Sequence, residues 1–322
     1  MLNRRDMGVL SASGLACVFL GLNGCDTAQP HVWQPHVWQG QALGAPSSVK
    51  LYGVPLAKAK KLFLASETEI TRLTNIFSLS DTASEISALN QHGVLEHASP
   101  EMIEVLQAAA HISKLTHGAF DITVQSLWNT AKHLTRVQIS QEGIKQLWAK
   151  AYDLVDYTYV KINGRHVSFT EPGVTITLNG LAQGYITDKI TQLLLRGGAR
   201  SGLVNIGEFR AFGAKTWKLG VQDPRNIMDV IDIISLKNAG LATSSATGGY
   251  LSAEMSHIFE PRTGHNKPQF ISASVVHKSA IMADGLATAF TLLDENRIRN
   301  IAKKANVHAA LLMREDGEII RI

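Results

Sequence analysis

The chain contains 322 residues, of which 45% are hydrophobic and 18% are charged, and its formal net charge at pH 7 is +4. A chain of this length and apolar content can bury a large core, in one big domain or in two lobes. The net charge is modest and no basic cluster is interleaved with aromatic residues, so the composition excludes nucleic acid as an expected partner.

The amino terminus predicts a signal peptide over residues 1–24. Arg4 and Arg5 precede an almost uncharged run that is too short and too rich in Gly and Ser for a membrane span. The arginine pair resembles a twin-arginine export signal, and the residues before Cys25 resemble a lipobox, with Asp26 resembling an inner-membrane retention signal. We expect a periplasmic lipoprotein anchored to the inner membrane through Cys25; a signal cleaved elsewhere or an uncleaved anchor is the alternative.

Residues 25–47 predict a flexible tether. This stretch holds a short tandem duplication, His-Val-Trp-Gln at 31–34 and again at 36–39, with Pro, Gly and Ser around it. Duplication inside a tolerant linker explains the repeat better than a metal or haem site, because no third ligand is close by. The chain's two cysteines both lie before residue 26, so we expect no disulfide in the folded domain, residues 48–322.

The body of the chain alternates helices and strands. Apolar residues at helical spacing predict an amphipathic helix over residues 56–77, and Ser99, Pro100 and Gly118 bound a second helix. Further predicted elements are a strand over 174–178, a helix over 181–196, and strands over 203–206, 217–221 and 231–236. Mixed short elements without βαβ repetition indicate an α+β fold with mixed, largely antiparallel sheets and packed helices.

The segment 272–293 carries a candidate cation site. Its first half alternates like a strand, Ser279 is a candidate helix cap, and the apolar residues that follow recur at helical spacing. Asp284 and Thr288 are four residues apart on one helix face, and a carboxylate beside a hydroxyl suits Mg²⁺ next to a phosphate. The alternative is that Asp284 favours the helix dipole while Thr288 bonds to a carbonyl. We expect the Asp284 carboxylate to be exposed.

Four sequence blocks together resemble one family. They are residues 116–123 (THGAFDIT), 178–185 (LNGLAQGY), 256–264 (SHIFEPRTG) and 283–288 (ADGLAT). The blocks are similar to those of the ApbE family, the FAD:protein FMN transferases, and occur in the same order. Weaker matches extend the resemblance over about residues 43–295. In this family the flavin is expected in a cleft between two lobes.

The resemblance implies a set of site residues. Those implied to bind FAD are Leu43, Ala119, Phe120, Asp121, Thr177, Gln183, His257, Ile258 and Arg262. Those implied to hold Mg²⁺ are the Gly180 carbonyl, Asp284 and Thr288. Arg262 could pair with a phosphate or simply stabilise its own turn.

The reaction that the resemblance implies is phosphoryl transfer. A Thr or Ser hydroxyl of an exported or membrane-bound electron-transfer protein attacks the FMN-side phosphorus of FAD, and AMP leaves. Asp284 is the implied catalytic residue that holds Mg²⁺ at the pyrophosphate, and His257 is the candidate base because imidazole titrates near neutral pH. A structural role for His257 is the alternative. The competing functions are a Mg²⁺-dependent FAD pyrophosphatase, which uses water as the nucleophile, and a non-catalytic FAD-binding lipoprotein.

The sequence also departs from the family pattern. Thr177 stands where most members have an Asp, and Gln183 stands where they have a charged group. Glu208 and Phe209 replace the second Gly and the Asp of the family's Asn-x-Gly-Gly-Asp turn. Because the implied metal ligands remain, we expect an active, specialised enzyme with one dedicated client.

Overall fold

The computed structural model describes residues 17–18, 34–137, 139–246, 250–252, 255–263 and 268–322. Cys25, most of the predicted signal peptide and the first part of the predicted tether lie outside these residues. No helix in the described ranges combines the length and the apolar character that crossing a membrane requires.

The described residues form eight α-helices, two 3₁₀ helices and sixteen strands. The helices are α1 (Leu56–Phe77), α2 (Glu85–His92), α3 (Pro100–Leu115), α4 (Gln125–Leu134), α5 (Gln141–Tyr152), α6 (Ala182–Arg196), α7 (Ala280–Leu292) and α8 (Glu295–Lys304), with 3₁₀ turns at Ile122–Val124 and Tyr157–Tyr159. The strands are β1 (Cys17–Val18), β2 (His36–Ala42), β3 (Ala45–Tyr52), β4 (Val94–Leu95), β5 (Val160–Asn163), β6 (His166–Phe169), β7 (Ser201–Ile206), β8 (Phe209–Phe212), β9 (Trp217–Asp223), β10 (Asn226–Leu236), β11 (Gly240–Ser245), β12 (Tyr250–Ser252), β13 (Met255–Ser256), β14 (Ser272–His277), β15 (Ala309–Met313) and β16 (Ile319–Arg321).

The centre of the fold is an eight-stranded sheet with the order β16-β15-β14-β11-β8-β7-β3-β2. Every neighbouring pair in it is antiparallel. Smaller sheets have the orders β1-β9-β10, β4-β6-β5 and β12-β13. The predicted α+β class with largely antiparallel sheets is therefore confirmed.

Both faces of the sheet are covered. On β11, Leu241 belongs to a cluster with Trp217 and Leu219 of β9, whereas its neighbour Ala242 belongs to the main core. This alternation follows from the two-residue period of a strand. Helices α6 and α7 contact each other and pack against sheet strands on the main-core side. The helices that carry the predicted site are thus held by the largest core of the protein.

Several predicted elements are confirmed. The predicted helix over 56–77 is α1, and Ser99 caps α3 by accepting a hydrogen bond from the Met102 N–H, with Pro100 in the first turn. Helix α3 ends at Leu115, a few residues before Gly118. The predicted helix over 181–196 is α6, and the strands predicted from residue 203 onward lie within β7, β9 and β10.

The strand predicted over residues 174–178 is wrong. This segment has no regular secondary structure, and its backbone joins no sheet in the described ranges. The Asn90 side chain instead exchanges two hydrogen bonds with the N–H and carbonyl of Ile176, and the Thr177 N–H donates to the Ile122 carbonyl. A distant side chain satisfies the backbone here, which local apolar patterning does not reveal.

The predicted tether is wrong over residues 36–47, which form β2, its turn and the start of β3. Leu43 and Gly44 have φ values of 48° and 79°, and Ala42 pairs with Ala45 across them, as in a two-residue hairpin turn. The second copy of the repeat forms the first four residues of β2, and the His36 Nε2 is 2.9 Å from the Val54 carbonyl oxygen. Leu43 and Gly44 are the turn residues that the composition-based interpretation overlooked.

We expect the β2–β3 hairpin to contribute to folding stability. A chain that begins at residue 48 should lose about 2 to 4 kcal/mol of unfolding free energy, because buried apolar surface and backbone hydrogen bonds are removed. A chain that begins at residue 34 should match one that begins at residue 26. Urea unfolding followed by circular dichroism measures the difference, and equal stability of all three chains would contradict a structural role for the hairpin.

Candidate active site

A cleft of about 840 Å³, counting its solvent-open mouth, lies beside the glycine turn before α6 and the first turns of α7. Most of the predicted site residues line it: Ala119, Phe120, Asp121, Thr177, Gly180, His257, Ile258, Asp284 and Thr288. Residues separated by more than 160 positions thus meet in one cavity.

Helix α7 begins at a carboxylate supplied by α6. Ser279 is at the N-cap position, as predicted, but its hydroxyl donates to Asp188 Oδ2 at 2.7 Å rather than capping the helix. That same oxygen accepts hydrogen bonds from the N–H groups of Ala280 and Ile281, at 2.9 and 3.2 Å. Asp188 Oδ1 is paired with Arg210. The long-range cap fixes the first turn of α7 relative to α6.

A glycine lets the two helices touch. A Cβ at Gly184 of α6 would lie 2.6 Å from the Ala280 carbonyl oxygen and 2.8 Å from the Ile281 Cα, both backbone atoms of α7. At this close approach the Gly184 N–H donates to Asp284 Oδ2 at 3.1 Å. The contact therefore positions the predicted metal carboxylate directly.

Asp284 is buried, with 5% of its surface exposed, so the expectation of an exposed carboxylate is wrong. Burial raises the pKa of Asp284 to about 7, and the hydrogen bond from Gly184 opposes that rise. The carboxylate is buried because most residues of α7 are covered by the core, although Asp284 also lines the cleft. A bound cation would favour the ionised form.

The Thr288 hydroxyl faces the glycine turn. Its Oγ1 lies 3.0 Å from Ser244 Oγ, and a Cβ at Gly180 would come within 3.0 Å of the same atom. A side chain at position 180 would therefore press on Thr288 and on Phe120, 3.3 Å away. The structure brings together all three residues implied to hold Mg²⁺.

Glu208 is a functional candidate that was noted only as a departure from the family pattern. It lies between β7 and β8, lines the cleft, and is 5% exposed. Its Oε2 accepts a hydrogen bond from the Thr243 N–H at 3.2 Å. Burial, and next the nearby Asp284 carboxylate, raise the pKa of Glu208 well above its ordinary value. The sequence did hold one clue to the role of Glu208, because an acidic residue stands in the short turn between two largely buried strands.

Asp121 shapes the cleft wall. Its Oδ1 accepts from the Thr123 N–H at 2.8 Å and the Thr123 hydroxyl at 2.6 Å, and its Oδ2 accepts from the Tyr157 N–H at 2.8 Å. Burial raises the pKa of Asp121 to about 6, while these hydrogen bonds oppose the rise. The backbone at Asp121 is therefore fixed by its own side chain, and Ala119 and Phe120 are buried beside it.

His257 and Ile258 form another part of the wall. The Trp128 indole N–H donates to the His257 carbonyl at 2.9 Å, and the two rings have centroids 6.4 Å apart. Trp128 also lines the cleft and was not predicted. Trp128 lies on α4, whose sequence shows an ordinary amphipathic pattern. The residues around Trp128 in the sequence therefore gave no sign that it lines the cleft.

Three predicted residues lie outside the cleft lining. Leu43 occupies the β2–β3 turn and packs against the main core. The Arg262 guanidinium forms a two-point ion pair with Glu260, at 2.7 and 2.8 Å, which corresponds to the turn-stabilising alternative. Gln183 is 2% exposed on α6, and neither its amide oxygen nor its nitrogen has a hydrogen-bond partner among the described residues.

The donor atoms fit a hard cation. Among the described residues no group of three or more His, Cys, Asp or Glu side chains could hold a metal ion. The cleft does offer oxygen donors, among them the Asp284 carboxylate, the Thr288 hydroxyl and the Gly180 carbonyl, and oxygen ligands are the ones that Mg²⁺ prefers. Neither Asp284 nor Glu208 is paired with a cationic side chain in the described part of the chain.

Comparison with known proteins identifies the family. The sequence model of the ApbE family matches residues 43–312. Two relatives named FAD:protein FMN transferase are each 27% identical to this chain. The match to the Haemophilus influenzae protein spans 262 residues and covers 74% of this chain and 74% of that protein. The match to the Vibrio cholerae protein spans 297 residues and covers 86% of this chain and 87% of that protein.

Solved structures share the fold. The ApbE protein of Thermotoga maritima is 28% identical and superposes with a TM-score of 0.78. The match covers 89% of this chain and 97% of that protein's chain. The flavin transferase ApbE from Vibrio cholerae has the same TM-score, 0.78, at 24% identity, with 90% of this chain and 97% of that chain covered. The chain belongs to the ApbE family.

We expect Gly184→Ala to destabilise the protein by about 3 kcal/mol, because the added methyl meets the α7 backbone, which cannot move aside cheaply. Gly143→Ala is the matched control: it is also a helical glycine, and a Cβ there has only ordinary contacts, the nearest at 3.4 Å. The control should be neutral or slightly stabilising. Thermal unfolding measures both, and equal effects would contradict the close α6–α7 contact.

We expect the cation-free protein to lose stability as the pH rises toward 7. The folded Asp284 keeps its proton up to a pKa of about 7, whereas the unfolded side chain loses it near the ordinary value of 3.8. The folded state therefore binds more protons between these values, and its stability falls with increasing pH. Glu208, whose pKa is also raised, contributes a loss of the same sign. Asp284→Asn should therefore remove the part of the loss that is due to Asp284 and be more stable than the wild type by about 2 to 4 kcal/mol at pH 7.

Urea unfolding in EDTA at pH 4, 5.5 and 7 measures the difference between the two proteins. Exposed Asp153→Asn is the control and should show no such pH-dependent gain. A constant difference between wild type and Asp284→Asn across this range would show that Asp284 titrates normally.

Proposed function

We propose that this protein transfers FMN from FAD to a Thr or Ser hydroxyl of a partner protein, as an FAD:protein FMN transferase. The observation that carries the proposal is the meeting of Gly180, Asp284 and Thr288 with the Ala119–Asp121 wall in one cleft. Membership of the ApbE family and relatives that bear this enzyme name over most of their length support it.

The bond changes are those of a phosphoryl transfer. The acceptor oxygen forms a bond to the FMN-side phosphorus of FAD, the bond from that phosphorus to the AMP phosphate oxygen breaks, and the hydroxyl proton is released. Asp284, Thr288 and the Gly180 carbonyl would hold Mg²⁺. When bound, Mg²⁺ neutralises charge on the pyrophosphate and aligns it for in-line attack. The chain's other task is to orient the flavin against its apolar wall.

His257 is the proposed acceptor of the hydroxyl proton. It lines the same cleft as Asp284, and the Trp128 indole N–H donates a hydrogen bond to its carbonyl. An imidazole is suited to this role because its ordinary pKa lies near neutral pH.

The proposed location is the periplasmic face of the inner membrane, with lipid on Cys25. This proposal rests on the export-signal pattern of the amino terminus. The proposed clients are exported or membrane-bound electron-transfer proteins. Such a client needs a Thr or Ser hydroxyl in a segment that can reach the open mouth of the cleft.

The test is intact-mass spectrometry of an exported flavoprotein domain incubated with the full chain, FAD and Mg²⁺. We expect a mass gain of one FMN phosphodiester on the acceptor, with AMP released in equal amount. Asp284→Asn should lower the transfer rate on the order of 1,000-fold, since the charge that would hold the cation is removed. Exposed Asp153→Asn should transfer at the wild-type rate.

Two other results would replace the proposal. Release of both FMN and AMP without modification of any acceptor would identify an FAD pyrophosphatase that uses water. Bound FAD that stays intact with Mg²⁺ would identify a passive flavin-binding protein.

A further inference from the structure

We infer that Glu208 is a second carboxylate ligand of the divalent cation held by Asp284, so that this cleft binds the cation through two acidic side chains. The inference rests on the proposed function, because it concerns the same cleft. It assigns a role to a residue that the family resemblance places only as a departure from the usual turn.

The backbone around Glu208 is held in place. Its carbonyl accepts hydrogen bonds from the Thr187 hydroxyl and from the Ile206 N–H, each at 3.1 Å. The preceding Gly207 has φ 88°, a conformation that favours glycine. The side chain therefore leaves a fixed point of the β7–β8 turn and reaches the cleft, where it is part of the lining.

The two carboxylates use their oxygens in the same way. Glu208 Oε2 accepts from the Thr243 N–H, and Asp284 Oδ2 accepts from the Gly184 N–H. Within the described ranges, Glu208 Oε1 and Asp284 Oδ1 accept no hydrogen bond. Each acid is thus anchored by one oxygen and retains the other for a ligand in the cleft they share.

The charges favour a cation at this place. Two nearly buried acids face one cleft, and no Lys, Arg or His in the described residues forms an ion pair with either of them. Burying like charges without a counterion is unfavourable, so the pair must either keep protons or bind a cation. Carboxylate oxygens together with the Thr288 hydroxyl are suitable ligands for Mg²⁺ or Mn²⁺.

An independent observation is the unpartnered amide of Gln183. This side chain is 2% exposed, and in the part of the chain that the structure describes neither its Oε1 nor its Nε2 has a hydrogen-bond partner. It lies directly against Gly207, the residue before Glu208, where any added Cβ would meet the amide. A buried amide is normally hydrogen-bonded, so a water or a ligand atom is expected at this amide, beside the turn that carries Glu208.

The test is direct cation binding by the full chain without FAD. Electron paramagnetic resonance measures free Mn²⁺ during a titration, and calorimetry measures Mg²⁺. We expect Glu208→Gln, which keeps the size and can still accept from Thr243, to weaken Mn²⁺ binding at least tenfold. Asp284→Asn should weaken it at least as much. Exposed Glu142→Gln is the matched control and should bind like the wild type.

The outcomes separate this inference from the proposed function. Unchanged Mn²⁺ affinity in Glu208→Gln, with a loss in Asp284→Asn, would overturn only the role of Glu208. Unchanged affinity in both variants, or no binding by the wild type, would overturn the cation site itself. If Glu208→Gln does not fold, Glu208→Met replaces it, and the same tenfold loss is expected. A smaller rise of the melting temperature with added Mn²⁺ in the variant is the second expected readout.

Discussion

The candidate active site depends on the contact between α6 and the first turn of α7. Asp188 reaches across to bind the N–H groups that begin α7, and Gly184 lacks the side chain that would separate the helices. Because α7 carries Asp284 and Thr288, and the turn before α6 carries Gly180, this one contact sets how the three are placed. The antiparallel sheet beneath the helices keeps the contact rigid, since its strands pack against both.

The site is built at a cost in stability. Asp284 and Glu208 are nearly buried, and burial disfavours the charged form of each. The core on the same face, which includes the fully buried Leu286 and Phe290 of α7, offsets that loss. An arrangement of this kind is unfavourable for the cation-free protein and favourable once a cation is bound. Binding and folding are therefore linked through the same carboxylates.

Spacing along one helix predicted the neighbouring site residues, whereas cleft residues from distant segments, such as Asp121 and His257, were reached only through the family resemblance. Asp284 and Thr288 were identified because residues four apart share a helix face, which needs no knowledge of the rest of the chain. Glu208 and Trp128 enter the cleft only through the packing of distant elements. The failed strand at 174–178 has the same cause, since its backbone partner is the side chain of Asn90. Composition concealed the β2–β3 hairpin because its turn consists of only two residues.

Two departures from the family pattern lie at the cleft, and they act differently. Thr177 lines the cleft, and its hydroxyl accepts a hydrogen bond from the Asn179 N–H within its own turn, so this position offers a neutral group. In the β7–β8 turn, Glu208 and Phe209 stand in place of a glycine and an aspartate, so the turn keeps one acid and carries it one residue earlier. Successive residues of an extended chain point to opposite sides, and here Glu208 lines the cleft beside Asp284 while Phe209 packs in the cluster around Trp217. The shift of one residue therefore keeps the acid of this turn on the side of the cleft.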